Sequence, residues 1–337
     1  MAICPSTCFF VLSGFVIAMT YGASFADRVT TRDYAGFLLK RLARIYPLYI
    51  VVTLGLAALT YAGIVHPFHQ GMPSFPGLLA NVLLIQEWGL ADSIGGPSWS
   101  ISTEFAAYLL FPLLFSRLPS RPWAFGLAAA VATGLLVLVA MQSPVAINQV
   151  YDGIAIKNGP LDVVGTGTPY PVLRCLAGFT LGVLSFHLAR LPAIGRLAGR
   201  RHAGDLAVGA VLVAMAIPGA DVAIVLLFVP LIVSLATGNS VAASVLAGRL
   251  AHWLGLISYS IYLMHIPAAY LLQGPLSDLC QSLGLPHAFT LAKIATLALV
   301  IPLSAASFYG IERPARIWGR RLGGVRSRSS SYEPSAP

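Results

Sequence analysis

Long apolar stretches alternate with short polar ones along most of this 337-residue chain. A helix needs about 20 apolar residues to cross the hydrocarbon core of a bilayer. The pattern therefore predicts an all-α fold, a polytopic transmembrane helix bundle with about nine spans. The predicted spans are Cys8–Gly22, Tyr46–Ile64, Trp99–Phe115, Trp123–Met141, Val172–Ala189, Leu206–Pro218, Val222–Thr237, Trp253–Gln273 and Ala288–Tyr309.

Two other stretches have different lengths and flanks. Phe75–Trp88 is apolar but short and bounded by prolines and glycines, which predicts a re-entrant or interfacial segment. Residues 142–171 are rich in Gly, Pro, Asp and Asn, a composition typical of turn-rich coil. We expect the longest loops to be where an external substrate is met.

The basic residues are distributed very unevenly between the loops. If the spans alternate in direction, 18 of the 21 lysines and arginines fall on one side of the membrane. The positive-inside rule identifies that side as the cytosol. We therefore predict a multi-pass protein of the cell (inner) membrane with a cytosolic C-terminus. Its predicted divisions are a membrane domain over residues 1–318 and a disordered basic tail over residues 319–337.

The same alternation places Met1 outside the cytosol. We therefore expect that one further helix, starting on the cytosolic side, is missing before Met1. A wrong start, a truncation and real divergence are all compatible with that expectation.

Composition excludes several classes of protein. Apolar residues make up 57% of the chain and charged residues only 10%, whereas a soluble domain carries about 25% charged residues. The net charge of +9 follows from the loop positions and predicts no nucleic-acid partner. The four cysteines have no metal-ligand spacing, so no metal site is predicted.

Three cations, Lys40, Arg41 and Arg44, precede the second predicted span. If residues 38–45 are helical, these side chains share one face. Pro47 suits the first turn of a helix, so we expect that span to begin at Tyr46. One interpretation is a positive-inside anchor. The other is that Arg41 and Arg44 also grip the phosphates of a cytosolic ligand.

Several ionisable residues lie within predicted spans, where each requires an explanation. Glu104 can share a helix face with Ser100 and Tyr108. It is either a carboxylate satisfied by a neighbouring helix or a site carboxylate that orients a base or binds a hydroxyl. Arg174 requires an anionic partner or a route by which its guanidinium reaches water.

Two more polar positions lie near the C-terminal end. His265 follows Ser258 and Tyr262, so a stripe of hydroxyl groups can lead to its imidazole. It is either a hydrogen-bonded core residue or a catalytic base. Glu312 and Arg313 are expected to end the last helix.

Five short strings together resemble the integral-membrane acyltransferase type 3 family, which includes the sugar O-acetylases. The resemblance implies a bundle of about ten helices that moves an acyl group, commonly acetyl, from cytosolic acyl-CoA to a carbohydrate or lipid-linked acceptor. The strings are Phe9-Phe-Val-Leu-Ser-Gly-Phe-Val-Ile17, Lys40-Arg-Leu-Ala-Arg-Ile-Tyr-Pro47, Trp99-Ser-Ile-Ser-Thr-Glu104, Ser258-Tyr-Ser-Ile-Tyr-Leu-Met-His-Ile-Pro267 and Ile311-Glu-Arg-Pro314.

The resemblance also implies site residues. Arg41 and Arg44 match the paired arginines at the family's coenzyme A mouth, and we add Tyr46 to this group. Glu104 and His265 match polar positions in its membrane cavity and are the predicted catalytic residues. The predicted acceptor-binding residues are Trp99, Ser100, Arg174, Tyr259 and Tyr262.

Acyl-CoA is expected as a donor substrate rather than as a permanently bound cofactor. The family's first-helix histidine precedes the string that begins at Phe9, and no residue of this chain matches it. Two other interpretations are therefore kept: an inactive or truncated family member, and a secondary transporter or flippase. For the acyltransferase interpretation itself, the predicted role is modification of surface polysaccharide by O-acetylation.

Overall fold

The computed structural model describes residues 5–26, 28–65, 73–117, 122–142, 148–151, 154–157, 159–161, 168–236, 238 and 240–322. Thirteen α-helices account for most of these residues, and a π-helical turn, Phe308–Glu312, joins the last two. The helices are α1 Pro5–Phe25, α2 Thr31–Tyr61, α3 Phe75–Val82, α4 Trp99–Arg117, α5 Pro122–Gln142, α6 Tyr170–Ala189, α7 Pro192–Ala198, α8 Ala203–Met215, α9 Asp221–Ala236, α10 Val241–Leu246, α11 Arg249–Ser282, α12 Ala288–Ser307 and α13 Arg313–Leu322.

A short β-hairpin interrupts the otherwise helical fold between α5 and α6. Its antiparallel strands are β1 Asn148–Tyr151 and β2 Ile154–Lys157, which pair Tyr151 with Ile154 next to the turn. The sequence predicted coil here, because turn residues dominate the segment. The prediction of a helical membrane bundle is confirmed apart from this hairpin.

Within the described ranges, six helices are long and apolar enough to cross a membrane. They are Ser6–Phe25, Thr31–Tyr61, Trp123–Gln142, Tyr170–Ala189, Arg249–Ser282 and Ala288–Leu322. The remaining three predicted spans correspond to α4 and to the shorter apolar helices α8 and α9. A multi-pass membrane protein is therefore supported, whereas the count of nine spans remains a prediction.

The closest helix packing in the core joins α1 to α6. A Cβ atom added to Gly182 would lie 2.0 Å from the carbonyl oxygen of Val11, and one added to Gly14 would lie 2.1 Å from that of Phe179. Only glycine allows this approach. Small residues at helix contacts bring backbones together in membrane proteins, so these glycines set the spacing of α1 and α6.

Aromatic rings fill the core on the side of α2 and α4. The ring of Phe37 lies 5.7 Å from that of Phe25 and 5.4 Å from that of Phe111. In contrast, large apolar side chains such as Leu113 and Leu297 are exposed on the outside of the bundle. An apolar exterior around a packed aromatic core is the arrangement that a lipid environment favours.

Helix α2 begins earlier than the sequence predicted. It runs without interruption from Thr31 to Tyr61, and the Thr30 side chain caps it by accepting a hydrogen bond from the backbone N–H of Asp33. The predicted start at Tyr46 is therefore wrong, and Pro47 lies in the helix interior. Membrane helices tolerate internal proline because neighbouring groups can satisfy the freed backbone.

Helix α3 is the only helix in the segment that was predicted to be re-entrant or interfacial. It spans Phe75–Val82, and a succession of turns follows it. Leu84, directly after α3, is buried and has a left-handed backbone with φ of 61°. The segment is thus too short and too broken to cross a bilayer as one helix.

The C-terminal region also differs from the prediction. Glu312 and Arg313 do not end the last helix, because the chain passes through the π-helical turn and continues as α13. The predicted tail boundary after Trp318 is wrong as well, since α13 extends to Leu322 and buries Gly319 against Ala43 of α2. Residues 323–337, the rest of the predicted tail, lie outside the described residues.

Candidate active site

A buried carboxylate lies where α1 and α4 meet. Glu104 is only 4% exposed, and its Oε1 accepts a hydrogen bond of 2.5 Å from the Ser13 hydroxyl of α1. Tyr108, one turn further along α4, also places its hydroxyl in hydrogen-bonding reach of Glu104. A neighbouring helix therefore does satisfy the carboxylate, as one of the two sequence interpretations proposed.

Arg41 lies inside the bundle rather than on its surface. Its Nη2 donates a hydrogen bond of 3.2 Å to the Tyr21 hydroxyl. The guanidinium carbon lies 4.9 Å from the Tyr21 ring centroid and 5.7 Å from that of Tyr108, so the cation is held between two aromatic faces. It also interacts electrostatically with Glu104, and its buried Nε has no hydrogen-bond partner.

A second polar cluster lies where α2, α11 and α13 meet. Glu312, fully buried, accepts a hydrogen bond from Ser260 and another of 2.9 Å from Nη2 of Arg316. Arg44 lies close enough to Glu312 and Arg316 to interact with both electrostatically. A third arginine, Arg316 of the C-terminal helix α13, thus lies near the paired arginines Arg41 and Arg44.

Hydroxyl groups of α4 and α11 meet on the other side of Glu104. The Tyr262 hydroxyl donates to the Pro97 carbonyl at 2.5 Å and lies 2.8 Å from the Ser100 hydroxyl. Because the single Tyr262 proton is used by Pro97, Ser100 is the donor in the second bond. Ser100 and Tyr262, both among the predicted acceptor-binding residues, are brought together, although 162 residues separate them in sequence.

His265 lies one turn after Tyr262 on α11 and is half-buried. Its Nδ1 is 2.8 Å from the Tyr262 backbone carbonyl, which makes Nδ1 the protonated nitrogen in the neutral ring and leaves Nε2 as the acceptor. The predicted hydroxyl stripe leading to His265 is wrong at Ser258, which is exposed and donates to the Gly255 carbonyl. Helical periodicity turns Ser260, rather than Ser258, into the bundle.

Arg174 is fully buried, which excludes a snorkelling route to water. Its guanidinium donates to the Leu161 carbonyl and, at 3.2 Å, to the Ser6 hydroxyl. The guanidinium carbon lies 4.8 Å from the centroid of the Trp99 ring. The predicted acceptor residues Trp99 and Arg174 are therefore in direct contact.

The two remaining predicted tyrosines differ in position. The Tyr259 hydroxyl donates to the Ile45 carbonyl of α2 at 2.5 Å, and it lies within electrostatic range of both Glu312 and Glu104. Tyr46, in contrast, donates to the Val82 carbonyl at the end of α3, at 3.0 Å. This contact fastens α3 to α2 and does not support the predicted coenzyme role of Tyr46.

These groups lie near one another inside the bundle. Tyr259 connects Glu312 to Glu104, and Tyr262 interacts electrostatically with both Glu104 and Arg174. We call this set of residues the polar band. We call Arg41, Arg44, Arg316 and Glu312 its arginine-rich end and Ser100, Tyr262 and Arg174 its hydroxyl-rich end, and the other members are Ser13, Glu104, Tyr108 and Tyr259.

A further network of hydrogen bonds holds the segment between α3 and α4, next to the hydroxyl-rich end of the polar band. The buried Gln86 donates from Nε2 to the hydroxyls of Tyr49 and Ser93, both at 3.3 Å. Asn81 donates to the Asp92 carbonyl at 2.9 Å. These bonds fix the turns between α3 and α4, and those turns present the Pro97 carbonyl to Tyr262.

Sequence reasoning missed several residues in and beside the polar band. Ser13 and Tyr21 looked like ordinary residues of an apolar span, and only their cross-helix contacts reveal them. Arg316 had a detectable signal, because it stands four residues after Glu312 and such pairs meet on a helix. Charge counting treated that arginine only as one of the cytosolic cations and so concealed the pair.

Comparison with known proteins gives a consistent result. A family model described as an acyltransferase domain matches residues 6–305. The chain is similar to the acyltransferase MdmB of Streptomyces mycarofaciens, with 41% identity over 133 residues. That alignment covers 36% of this chain and 32% of the relative, so the chain matches about a third of the relative's length. No solved structure gives a significant match. Because the family match covers most of the residues, the chain belongs to the integral-membrane acyltransferase type 3 family.

Proposed function

We propose that this protein is a membrane O-acyltransferase. It moves an acyl group, acetyl in the simplest case, from cytosolic acyl-CoA to a hydroxyl of a cell-surface or lipid-linked carbohydrate. The observation that carries the proposal is the polar band, which joins an arginine cluster to a group of hydroxyls through the buried Glu104. Ionisable residues inside a membrane bundle mark substrate routes.

The arginine-rich end suits the donor. Coenzyme A carries several phosphate groups, and guanidinium groups bind phosphate through paired, charge-assisted hydrogen bonds. Arg44 supplies such a group next to Arg41. The location of these residues on the predicted cytosolic side supports entry of acyl-CoA from the cytosol.

The hydroxyl-rich end suits the acceptor. Ser100 and Tyr262 offer hydroxyls, and Trp99 offers a ring packed against Arg174. Hydroxyl and amide groups bind sugar hydroxyls, and an aromatic ring packs against the apolar face of a sugar. A carbohydrate hydroxyl held here would lie on the same band as Glu104.

The reaction requires a base and a proton donor. A base removes the proton of the acceptor hydroxyl as its oxygen attacks the thioester carbonyl, the C–S bond breaks, and the new ester forms. The leaving thiolate takes up a proton and departs as coenzyme A. In this proposal Nε2 of His265 accepts the proton, Glu104 orients the reacting groups, and hydroxyl donors of the band stabilise the oxyanion.

Mass spectrometry of O-acyl groups on surface carbohydrate tests the proposal. Cells that express the chain should carry O-acyl groups that cells with an empty vector lack, and Glu104→Gln should abolish them. Gly134→Ala is a matched control, because a Cβ at that position meets nothing within 4 Å. Identical carbohydrate from the wild type, the control and the empty vector would contradict the proposed function.

A further inference from the structure

The third arginine of the cluster, Arg316, is held by contacts that leave part of its guanidinium available. Its Nη2 donates to Glu312 at 2.9 Å, and its guanidinium carbon lies 5.2 Å from the centroid of the Phe308 ring. The side chain is 20% exposed, and its buried Nε has no hydrogen-bond partner among the described residues. One edge of the guanidinium is therefore anchored while other donors remain unused.

The backbone explains how this arginine reaches the cluster. The π-helical turn, Phe308–Glu312, adds a residue to the helical repeat and rotates the chain that follows it. Gly319 then brings α13 against Ala43, so close that a Cβ at Gly319 would lie 2.3 Å from that of Ala43. Such π-helical turns are frequent at functional sites.

The charges in this region do not cancel. Helix α13 packs against α2 at Ala43, beside Arg41 and Arg44, and Arg316 lies within electrostatic range of both arginines. Glu312 and Glu104 supply only two carboxylates for these three cations. Holding three guanidiniums together with an uncompensated charge is unfavourable unless an anion binds between them.

We propose that Arg316 is a third phosphate-binding arginine of the acyl-CoA site and that Glu312 is the positioning residue that aims it. This inference rests on the proposed function and adds the C-terminal helix to the donor site. The chemistry recognised is a phosphate group, which either coenzyme A or an anionic lipid headgroup can supply. We commit to coenzyme A because Arg316 is only 20% exposed and donates a hydrogen bond to the fully buried Glu312, so its guanidinium lies inside the bundle.

Binding of coenzyme A to the purified full chain tests this inference. The chain is placed in nanodiscs of phosphatidylcholine, and the affinity for coenzyme A is measured by calorimetry. Arg316→Gln should weaken binding at least about tenfold, the typical effect of losing a charge-assisted hydrogen bond. Arg320→Gln removes the same charge from an exposed position of the same helix and should leave the affinity unchanged.

The outcomes separate the inference from the proposed function. If the wild type binds no coenzyme A, the proposed donor is wrong and the inference falls with it. If the wild type binds and the two variants bind equally well, Arg316 only pairs with Glu312, and the function stands without it. In parallel, the chain is purified from membranes that contain phosphatidylglycerol, and the lipid that remains bound is measured by mass spectrometry. If Arg316→Gln lowers the retained phosphatidylglycerol but not the affinity for coenzyme A, the ligand is a lipid and the inference is overturned.

A second measurement needs no variant, which covers the case in which Arg316→Gln fails to fold. Phenylglyoxal modifies accessible arginines, and peptide mass spectrometry reports the extent of modification at each one. Bound coenzyme A should slow modification of Arg316 but not of the exposed Arg320. Equal rates at Arg316 with and without bound coenzyme A would overturn the inference.

Discussion

The Ser13 hydroxyl donates a hydrogen bond of 2.5 Å to the Glu104 carboxylate and thereby ties α1 to α4 inside the bundle. A hydroxyl that bonds to a buried carboxylate fixes its orientation and keeps it hydrogen-bonded without neutralising it. Tyr108 and Arg41 approach the same carboxylate. Glu104 therefore interacts with residues of both the arginine-rich end and the hydroxyl-rich end of the polar band.

Replacement of Glu104 by glutamine should reduce acyl transfer by about 10²–10⁴-fold, the range typical of a positioned acid or base. Glutamine keeps the shape and still accepts the Ser13 bond, so the melting temperature should change little. The measurement is the initial rate of transfer from labelled acetyl-CoA in membranes. A rate within twofold of the wild type would show that the carboxylate is structural.

Loss of the Ser13 hydroxyl should have a smaller effect. Ser13→Ala removes one hydrogen bond to the buried Glu104 side chain, which contributes about 1 kcal/mol, and leaves Tyr108 as a second partner. We expect a transfer rate about tenfold lower or less. A larger loss than that of Glu104→Gln would be inconsistent with Ser13 acting through Glu104, as would additive effects in the double variant.

The glycine contact between α1 and α6 should be essential for folding. Gly182→Ala places a Cβ where the Val11 carbonyl oxygen lies only 2.0 Å away, so the two helices must separate. Overpacking of this kind costs about 1–3 kcal/mol or more. The thermal midpoint of the purified protein should fall clearly, whereas Gly134→Ala, with open space around its Cβ, should leave it unchanged. Equal midpoints would contradict the packing.

Tyr262 and Ser100 should act as a pair on the acceptor. Tyr262→Phe removes the bonds to Ser100 and to the Pro97 carbonyl, each contributing about 1 kcal/mol. We expect the KM for the carbohydrate acceptor to rise several-fold while the KM for acetyl-CoA stays constant. Adding Ser100→Ala should cause little further change. A selective rise in the KM for acetyl-CoA would place these hydroxyls at the donor instead.

Activity measurements distinguish the two interpretations of His265, a hydrogen-bonded core residue and a catalytic base. If its Nε2 accepts the acceptor proton, His265→Ala should reduce transfer by at least about 100-fold. His265→Gln preserves polarity but not basicity and should be equally impaired. Rates close to the wild type for both variants would identify His265 as a structural residue of α11.

The sequence predicts the helical membrane architecture and part of the site. Ser100 and Tyr262, both predicted to bind the acceptor, do lie in contact, whereas their role in binding the acceptor stays a prediction. The burial of Arg41 was not predictable, since Tyr21 and Tyr108 come from other helices and local periodicity does not report contacts between helices. The burial of Glu312 was not predictable either. A π-helical turn ends at this residue and changes which side chains share a face, whereas spacing arguments assume a regular α-helix.

The proline in α2 gives a similar lesson. Local preference predicts a helix start at Pro47, because a proline in the first turn costs no hydrogen bond. In the folded chain α2 continues through it, and α13 packs against this helix at Ala43. Tertiary packing thus outweighs a local preference of about 3 kcal/mol, which a single sequence cannot reveal.

The central claim is tested most directly by stoichiometry in a purified system. The full chain in liposomes is supplied with radiolabelled acetyl-CoA and a lipid-linked carbohydrate fraction, and both labelled ester and free coenzyme A thiol are measured. The account predicts one thiol released for each ester formed, with both signals lost in Glu104→Gln. Movement of the carbohydrate across the membrane without thiol release or ester formation would contradict it and identify a transporter.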